Sequence, residues 1–419
     1  MITKNLFTKM KTRYHCLICI AVLLFIEKLC TTLTNTSTSS IIQMPLNCFN
    51  EYLTNFPSYS EATYKELFKR TTYVNKQSNN LSEIGSLIAK AAGLDQSSHL
   101  TMPREVVNST VLVLSANMAY ADMTYNFLCR LANISKTFKY VVIAQDASFY
   151  DFLQSHHIPS MSGSLIHAAS SHNAQNFHSA GFNAISIAKI IAARIVLELG
   201  YNVLFSDVDT AWNKSPVSFL SADVDLTIQS NSGSNLSPSD DEPNTGFYFL
   251  KSNDRSMALL DETIDRARKN PALDDQTHFG HVLRDWRTSR KAVFIMEGMP
   301  SPWVYHGYRP FTFRLLHPYL FQTGQVAKAS YAQKVEPPYD GKEQNIILVH
   351  ANYLVGHSSK VSFLKSHNLW NLNDQRFSTY LTQWNSKGIR DPQNENEDQQ
   401  SSYQLALKEL ANMCINLIS

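Results

Sequence analysis

Short apolar runs alternate with longer amphipathic ones along this chain, and that rhythm constrains the fold more than any other feature. Val111-Leu-Val-Leu-Ser115 and Lys139-Tyr-Val-Val-Ile-Ala-Gln145 are almost continuously apolar, as strands buried on both faces must be. Between and after them, helical spacing covers Ala119 to Ala132 and Ser148 to Ser155. A long helix runs from Ala184 to Leu199 with Gly200 as its stop signal. Val203 to Phe205 is the next strand. This alternation predicts an α/β domain with a parallel sheet, whose ligands sit beyond the carboxyl ends of the strands. The pattern then becomes mixed. Strands are expected at Asp225 to Gln229 and Gly246 to Leu250, helices at Arg255 to Lys269 and Gln276 to Trp286, and strands at Ala292 to Met296 and Asn345 to His350.

At 419 residues and 44% hydrophobic, the chain can bury one large core or two smaller ones. Its formal net charge of +2 supplies no field that would draw nucleic acid. The amino terminus is more specific. Lys4, Lys9, Lys11 and Arg13 precede the apolar run from Cys16 to Ile26, the pattern of an export signal. The run is short beside the roughly 17–25 residues of a usual bilayer span. A cleaved signal peptide, giving a secreted protein, therefore stands beside a signal anchor. With an anchor, the basic flank leaves the amino terminus cytoplasmic and the rest luminal, a single-pass type II arrangement.

The expected organisation is thus a signal segment over 1–30, a stem and helical lead-in over 31–105, a main domain over 106–390, and a polar linker with a candidate terminal helix over 391–419. Asn-x-Ser/Thr sequons beginning at Asn35, Asn80, Asn108, Asn133, Asn213 and Asn235 fit luminal placement. Cys48, Cys129 and Cys414 lie away from the apolar segment and allow one disulfide whose pairing the spacing leaves open.

Three motifs could carry chemistry. The stretch Val203-Leu-Phe-Ser-Asp-Val-Asp-Thr-Ala-Trp212 drives an apolar strand into two aspartates. Asp207 and Asp209, solvent-facing at a strand end, could share one hard divalent cation, Mn2+ or Mg2+; an acidic turn is the plain alternative. His350-Ala-Asn-Tyr-Leu-Val-Gly-His-Ser-Ser-Lys360 follows another apolar strand. There His350 is either a further metal ligand or a core histidine, Gly356 permits close backbone approach, and Lys360 either offsets phosphate charge or is solvated. At Leu273-Asp-Asp-Gln276, Asp274 reads as a helix cap, while Asp275 and Gln276 could position a polar substrate.

In this order, and with Asn244-Thr-Gly-Phe-Tyr-Phe249 and Asn368-Leu-Trp370, the motifs resemble the nucleotide-diphospho-sugar transferases of glycosyltransferase family 77. That family includes plant xylosyltransferases and arabinosyltransferases of the secretory pathway, which implies the Golgi membrane for an anchored chain. The resemblance implies a GT-A fold, a Rossmann-like mixed α/β sheet flanked by helices in a single catalytic domain. It implies Asp207, Asp209 and His350 as ligands of Mn2+ or Mg2+. Lys189, Asp207, Ser115, Asn117, Gly356 and Lys360 would bind the donor, with Val113 to Asn117 bordering base and ribose. Asp275 and Gln276 would face the donor sugar near its anomeric carbon. The implied activity is retaining transfer of a pentose or hexose from a UDP-linked donor to a glycan or glycoprotein hydroxyl. Thr210 departs from the pattern, where a larger apolar residue is more usual.

Two rivals deserve comparison. Phosphatases with an aspartate nucleophile share the strand-Asp-x-Asp opening, but their threonine stands two places past the second aspartate, whereas Thr210 is adjacent. An inactive luminal carbohydrate-binding protein on the same fold would have little reason to keep Asp207, Asp209, His350 and Lys360 together.

Overall fold

The computed structural model of the chain describes residue 89 and residues 109–134, 138–166, 179–220, 223–231, 243–289, 291–294, 310–333, 346–387, 408 and 410–415. The apolar amino-terminal run, the stem, the lead-in helices, Cys48 and the sequons at Asn35, Asn80, Asn108 and Asn235 lie outside them.

The first half alternates as its sequence predicts: β1 (Thr110–Ala116), α1 (Ala121–Ile134), β2 (Lys139–Ala144), α2 (Ala147–Ser155), β3 (Ser160–Ser162), α3 (Ala180–Glu198) and β4 (Asn202–Ser206). Then come β5 (Thr210–Trp212), β6 (Leu226–Ser230), β7 (Pro243–Leu250), α4 (Asp254–Lys269), α5 (Asp275–Thr288), β8 (Ala292–Phe294) and β9 (Phe311–Leu316). The last third holds β10 (Phe321–Thr323), α6 (Gly324–Gln333), β11 (Leu348–His350), α7 (His357–Ser366) and α8 (Asp374–Lys387).

Eight strands form the main sheet in the order β3-β2-β1-β4-β7-β6-β9-β8. The first four are parallel, β7 runs against both β4 and β6, and β6, β9 and β8 are parallel again. One reversed strand is what makes the sheet mixed. A second sheet, β10-β11-β5, is small but decisive for the site, because its antiparallel β11–β5 pairing sets His350 opposite Thr210.

Side chains alternate across the main sheet with period two. Val111 and Val113 point into a core shared with α3, α4 and α5, while Leu112 and Leu114 point into one shared with α1 and α2. The result is three layers. α3 is apolar nearly all round, enough by length and composition to cross a bilayer, because it is sandwiched in the first of these cores. Its buried Arg194 pairs with Asp261 of α4 at 2.7 Å, so the charge that enters the core enters with a partner. Ser179, Asn253 and Asp274 accept hydrogen bonds from the first-turn N–H groups of α3, α4 and α5, so Asp274 is a helix cap.

Cys129 of α1 is joined to Cys414, 285 residues away. Cys414 also bridges to Leu372, so residues 410–415 are fastened to the α1 side of the sheet. Of the expected terminal helix, residues 408 and 410–413 are helical.

Candidate active site

The turn from β4 to β5 is built before any ligand is considered. Thr210 donates to the Asp207 carbonyl twice, from its N–H at 3.2 Å and its Oγ1 at 2.8 Å. Ser206 Oγ lies 2.8 Å from Thr210 Oγ1 and accepts from Trp212 Nε1 at 3.3 Å. Trp212 is fully buried, with edge-on contacts to Phe127, Phe138 and Phe247. The tryptophan that follows the aspartates is therefore the anchor of their turn. A larger apolar residue at 210 would lose the hydroxyl that ties Asp207 in place.

β11 brings the third group. His350 Nε2 lies 3.2 Å from Asp209 Oδ1 and 3.9 Å from Asp207 Oδ2, and the three candidate ligand atoms lie within 4.8 Å of one another. Gln229, at the end of β6, fixes the imidazole. Its Nε2 donates to the carbonyls of Phe321 and Gln322 at 3.1 and 3.2 Å, which leaves Oε1 to face His350 Nδ1 at 3.0 Å. Nδ1 therefore carries a proton, and in the neutral ring the Nε2 lone pair points at two carboxylates. Such an arrangement needs positive charge between the three groups, and a hard divalent cation meets that need. Gly246 leaves the room: a Cβ there would fall 2.2 Å from His350 Cε1 and 2.9 Å from Asp207 Oδ2.

Two lysines flank this triad. Lys360 of α7 donates to Asp209 Oδ2 at 2.6 Å. Lys189 of α3 donates to Asp207 Oδ1 at 3.0 Å, and its Nζ lies 3.7 Å from Asp275 Oδ2. Burial pushes the Asp209 carboxyl up, but the Lys360 ammonium leads the charges that outweigh it and hold the group well below the usual carboxylate range. Burial likewise opposes charge on Lys189 and Lys360, yet the facing aspartates raise both above the ordinary lysine value. Asp275 behaves in the opposite way. Burial raises its pKa; Lys189 pulls it down, and Asp207 pushes it up again. Its Oδ2 is buried without a hydrogen-bond partner among the described residues.

The expectation that both aspartates face solvent holds only for Asp207, whose side chain is 25% exposed. Asp209 is 6% exposed because Lys360 and His350 cover it. Asp275 joins the triad through Lys189. Gln276 lies half-buried one residue further on and makes no side-chain hydrogen bond among the described residues. Ser115 and Asn117 sit at the carboxyl end of β1, where Ser115 Oγ accepts from Gln145 Nε2 at 2.7 Å. Gly356 precedes α7 with φ of +85°, a left-handed value suited to glycine, and no side chain caps that helix.

Sequence reading missed several contributors. Gln229 is an ordinary strand residue until the small sheet sets His350 beside it. Asp122 at the start of α1 meets His357, the first residue of α7, at 2.8 Å, and Tyr120 packs edge-on against the same imidazole. His357 and Gly246 lay inside quoted motifs, but nothing in their spacing distinguished them.

The geometry can be set beside known proteins. A sequence model of the nucleotide-diphospho-sugar transferases matches residues 136–364. A UDP-galactose:fucoside alpha-3-galactosyltransferase of Dictyostelium discoideum is 25% identical over 63% of this chain and 43% of its own length. A beta-arabinofuranosyltransferase of Arabidopsis thaliana is 30% identical over 42% of this chain and 33% of its own length. The chain thus spans less than half the length of either relative. A solved glycosyltransferase of Streptococcus pneumoniae aligns over 68% of this chain and 65% of its own, at 14% identity and a TM-score of 0.39. With its mixed Rossmann-like sheet and the family match over more than half its residues, the chain belongs to the nucleotide-diphospho-sugar transferases.

Proposed function

We propose that this protein is a cation-dependent, retaining transferase that moves a pentose or hexose from a UDP-linked donor to a hydroxyl of a glycan or glycoprotein. The observation that carries the proposal is the convergence of Asp207, Asp209 and His350 on one point, with the imidazole locked by Gln229. Those groups would hold Mn2+ or Mg2+, which when bound offsets the charge that develops on a departing nucleoside diphosphate. The relatives' names include a galactosyl and an arabinofuranosyl transferase, which supports a hexose or pentose donor.

The remaining residues have roles that follow from charge and position. Lys360 supplies fixed positive charge beside Asp209, and the uncapped start of α7 after Gly356 offers backbone N–H groups to an anion. Lys189 balances Asp207 on the other side and links it to Asp275. Asp275, with an oxygen left over, is suited to accept a hydroxyl of the donor sugar. Gln276 is a positioning group next to it, and Ser115 and Asn117 border the nucleoside. Retention of configuration and residence in the secretory pathway, through the membrane segment at 1–30, rest on the sequence resemblance and the basic-apolar amino terminus.

Asp209→Asn tests this with little change of shape. UDP binding to the parent protein, followed by calorimetry, should require Mn2+ or Mg2+, and the variant should lose that cation-dependent binding together with hydrolysis of a panel of UDP-sugars. Metal-independent UDP binding in the parent, or undiminished hydrolysis in the variant, refutes the assignment.

A further inference from the structure

Just past His350 the chain makes a turn that packs Ala351 and Leu354 inward and leaves Tyr353 and Val355 outside. Asn352 Oδ1 accepts from the Gly324 N–H at 2.7 Å, and Gly324 lies so close that a Cβ would fall 2.0 Å from the Asn352 carbonyl oxygen. The Ala351 N–H donates to the Asp209 carbonyl at 2.9 Å. Clamped this way, Tyr353 adopts φ of +57°, a left-handed conformation that bulky side chains avoid. The strain is not repaid by burial. Tyr353 is 52% exposed and Val355 is 87% exposed, two of the few large apolar side chains so placed among the described residues.

The turn is nevertheless wired into the triad. Tyr353 Oη donates to the Asn231 carbonyl at 3.3 Å, and Asn231 Oδ1 accepts from Asn244 Nδ2 at 3.0 Å. Asn244 Oδ1 in turn accepts from the N–H of Gly246 at 2.8 Å, the glycine that makes room for His350. Tyr353 follows His350 by three residues, so their Cα atoms are at most about 11 Å apart. A strained, exposed aromatic ring is therefore held rigidly at the rim of the donor site.

We infer that Tyr353, with Val355 beside it, is the acceptor platform, stacking against the C–H face of a neutral sugar ring. This rests on the transferase reading above. Charge complementarity selects the occupant. The donor's diphosphate is matched by Lys189 and Lys360, whereas the Tyr353–Val355 rim offers an uncharged ring face and a branched apolar side chain. A sugar acceptor brings hydroxyl groups and a flat patch of polarised C–H bonds, which pairs with the negative face of an aromatic ring. Pre-set strain suits this role, since a ring fixed before binding loses little freedom when the sugar arrives.

The test uses the whole protein with UDP and MgCl2 and, as probes, the methyl pyranosides of fucose, galactose, xylose and arabinose. Saturation-transfer NMR should show contact between the parent protein and at least one glycoside. Tyr353→Phe should keep it, and Tyr353→Gly should weaken it at least about tenfold. Glycine is at ease at φ of +57°, so Tyr353→Gly should keep or raise the thermal midpoint. UDP affinity, measured by calorimetry, should be the same in all three. No contact with any glycoside in the parent, or equal contact in Tyr353→Gly, overturns the inference while intact UDP binding leaves the donor reading standing. Failure of the parent to bind UDP overturns both.

Discussion

Gly246→Ala adds one methyl group at the most crowded point of the site. The new carbon would meet His350 Cε1 at 2.2 Å, and ordinary contact begins at 3.4 Å, so the imidazole must retreat by 1.2 Å or the strand must yield. His350 has little freedom to retreat, because Gln229 holds its Nδ1 and is itself tied to two backbone carbonyls. Metal–ligand distances tolerate only about 0.2 Å, so the displaced imidazole is lost as a ligand. The readout is stabilisation by the cation. A ligand at one hundred times its dissociation constant stabilises the folded state by about 2.7 kcal/mol. At roughly 2 °C or more per kcal/mol, Mn2+ should raise the parent's thermal midpoint by about 5 °C. Gly246→Ala should show little such shift, even if overpacking costs about 1–3 kcal/mol of metal-free stability. An equal Mn2+ shift in both proteins would refute the claim that His350 shares the cation with the aspartates.

Asp275 provides a pH signature. Its folded-state pKa is raised, by burial first, so the folded protein holds that proton more tightly than the unfolded chain does, and stability falls as pH climbs through the raised value. Asp275→Asn should therefore raise the metal-free thermal midpoint at pH 7, flatten the fall that sets in as pH rises above the ordinary carboxylate range, and reduce transfer; a midpoint that tracks the parent's at every pH contradicts the assignment. Cys414→Ser should release residues 410–415 from α1 and cost about 2–4 kcal/mol, read by thermal scans without reductant. The parent treated with reductant should match that variant, and a parent indifferent to reductant argues against the bridge.

The sequence shows most where apolar runs are long and uninterrupted. β1, β2, α3 and β4 are all evident from their patterning, and so is the location of two carboxylates at the end of β4. It is silent at β3, β5 and β10, three-residue strands too short to display a period. The strand that holds β11 is expected, but its pairing with β5, which brings His350 to face Asp209, is not. α7 was missed as a helix because its polar and apolar residues do not segregate to one side, although Lys360 within it stood out chemically. The burial of Asp209 could not be read either, since the lysine that covers it lies 151 residues away. Pairing of Cys129 rather than Cys48 with Cys414 is likewise a property of tertiary contact alone.

The small sheet has a bearing on biosynthesis. Asp207 and Asp209 leave the ribosome 141 or more residues before the imidazole that completes their cluster. Until β11 has been made and has docked on β5, a nascent chain displays two carboxylates without His350 opposite them. On the proposed assignment, capture of a cation would be postponed to the closing phase of synthesis, when most of the main sheet already exists to receive it.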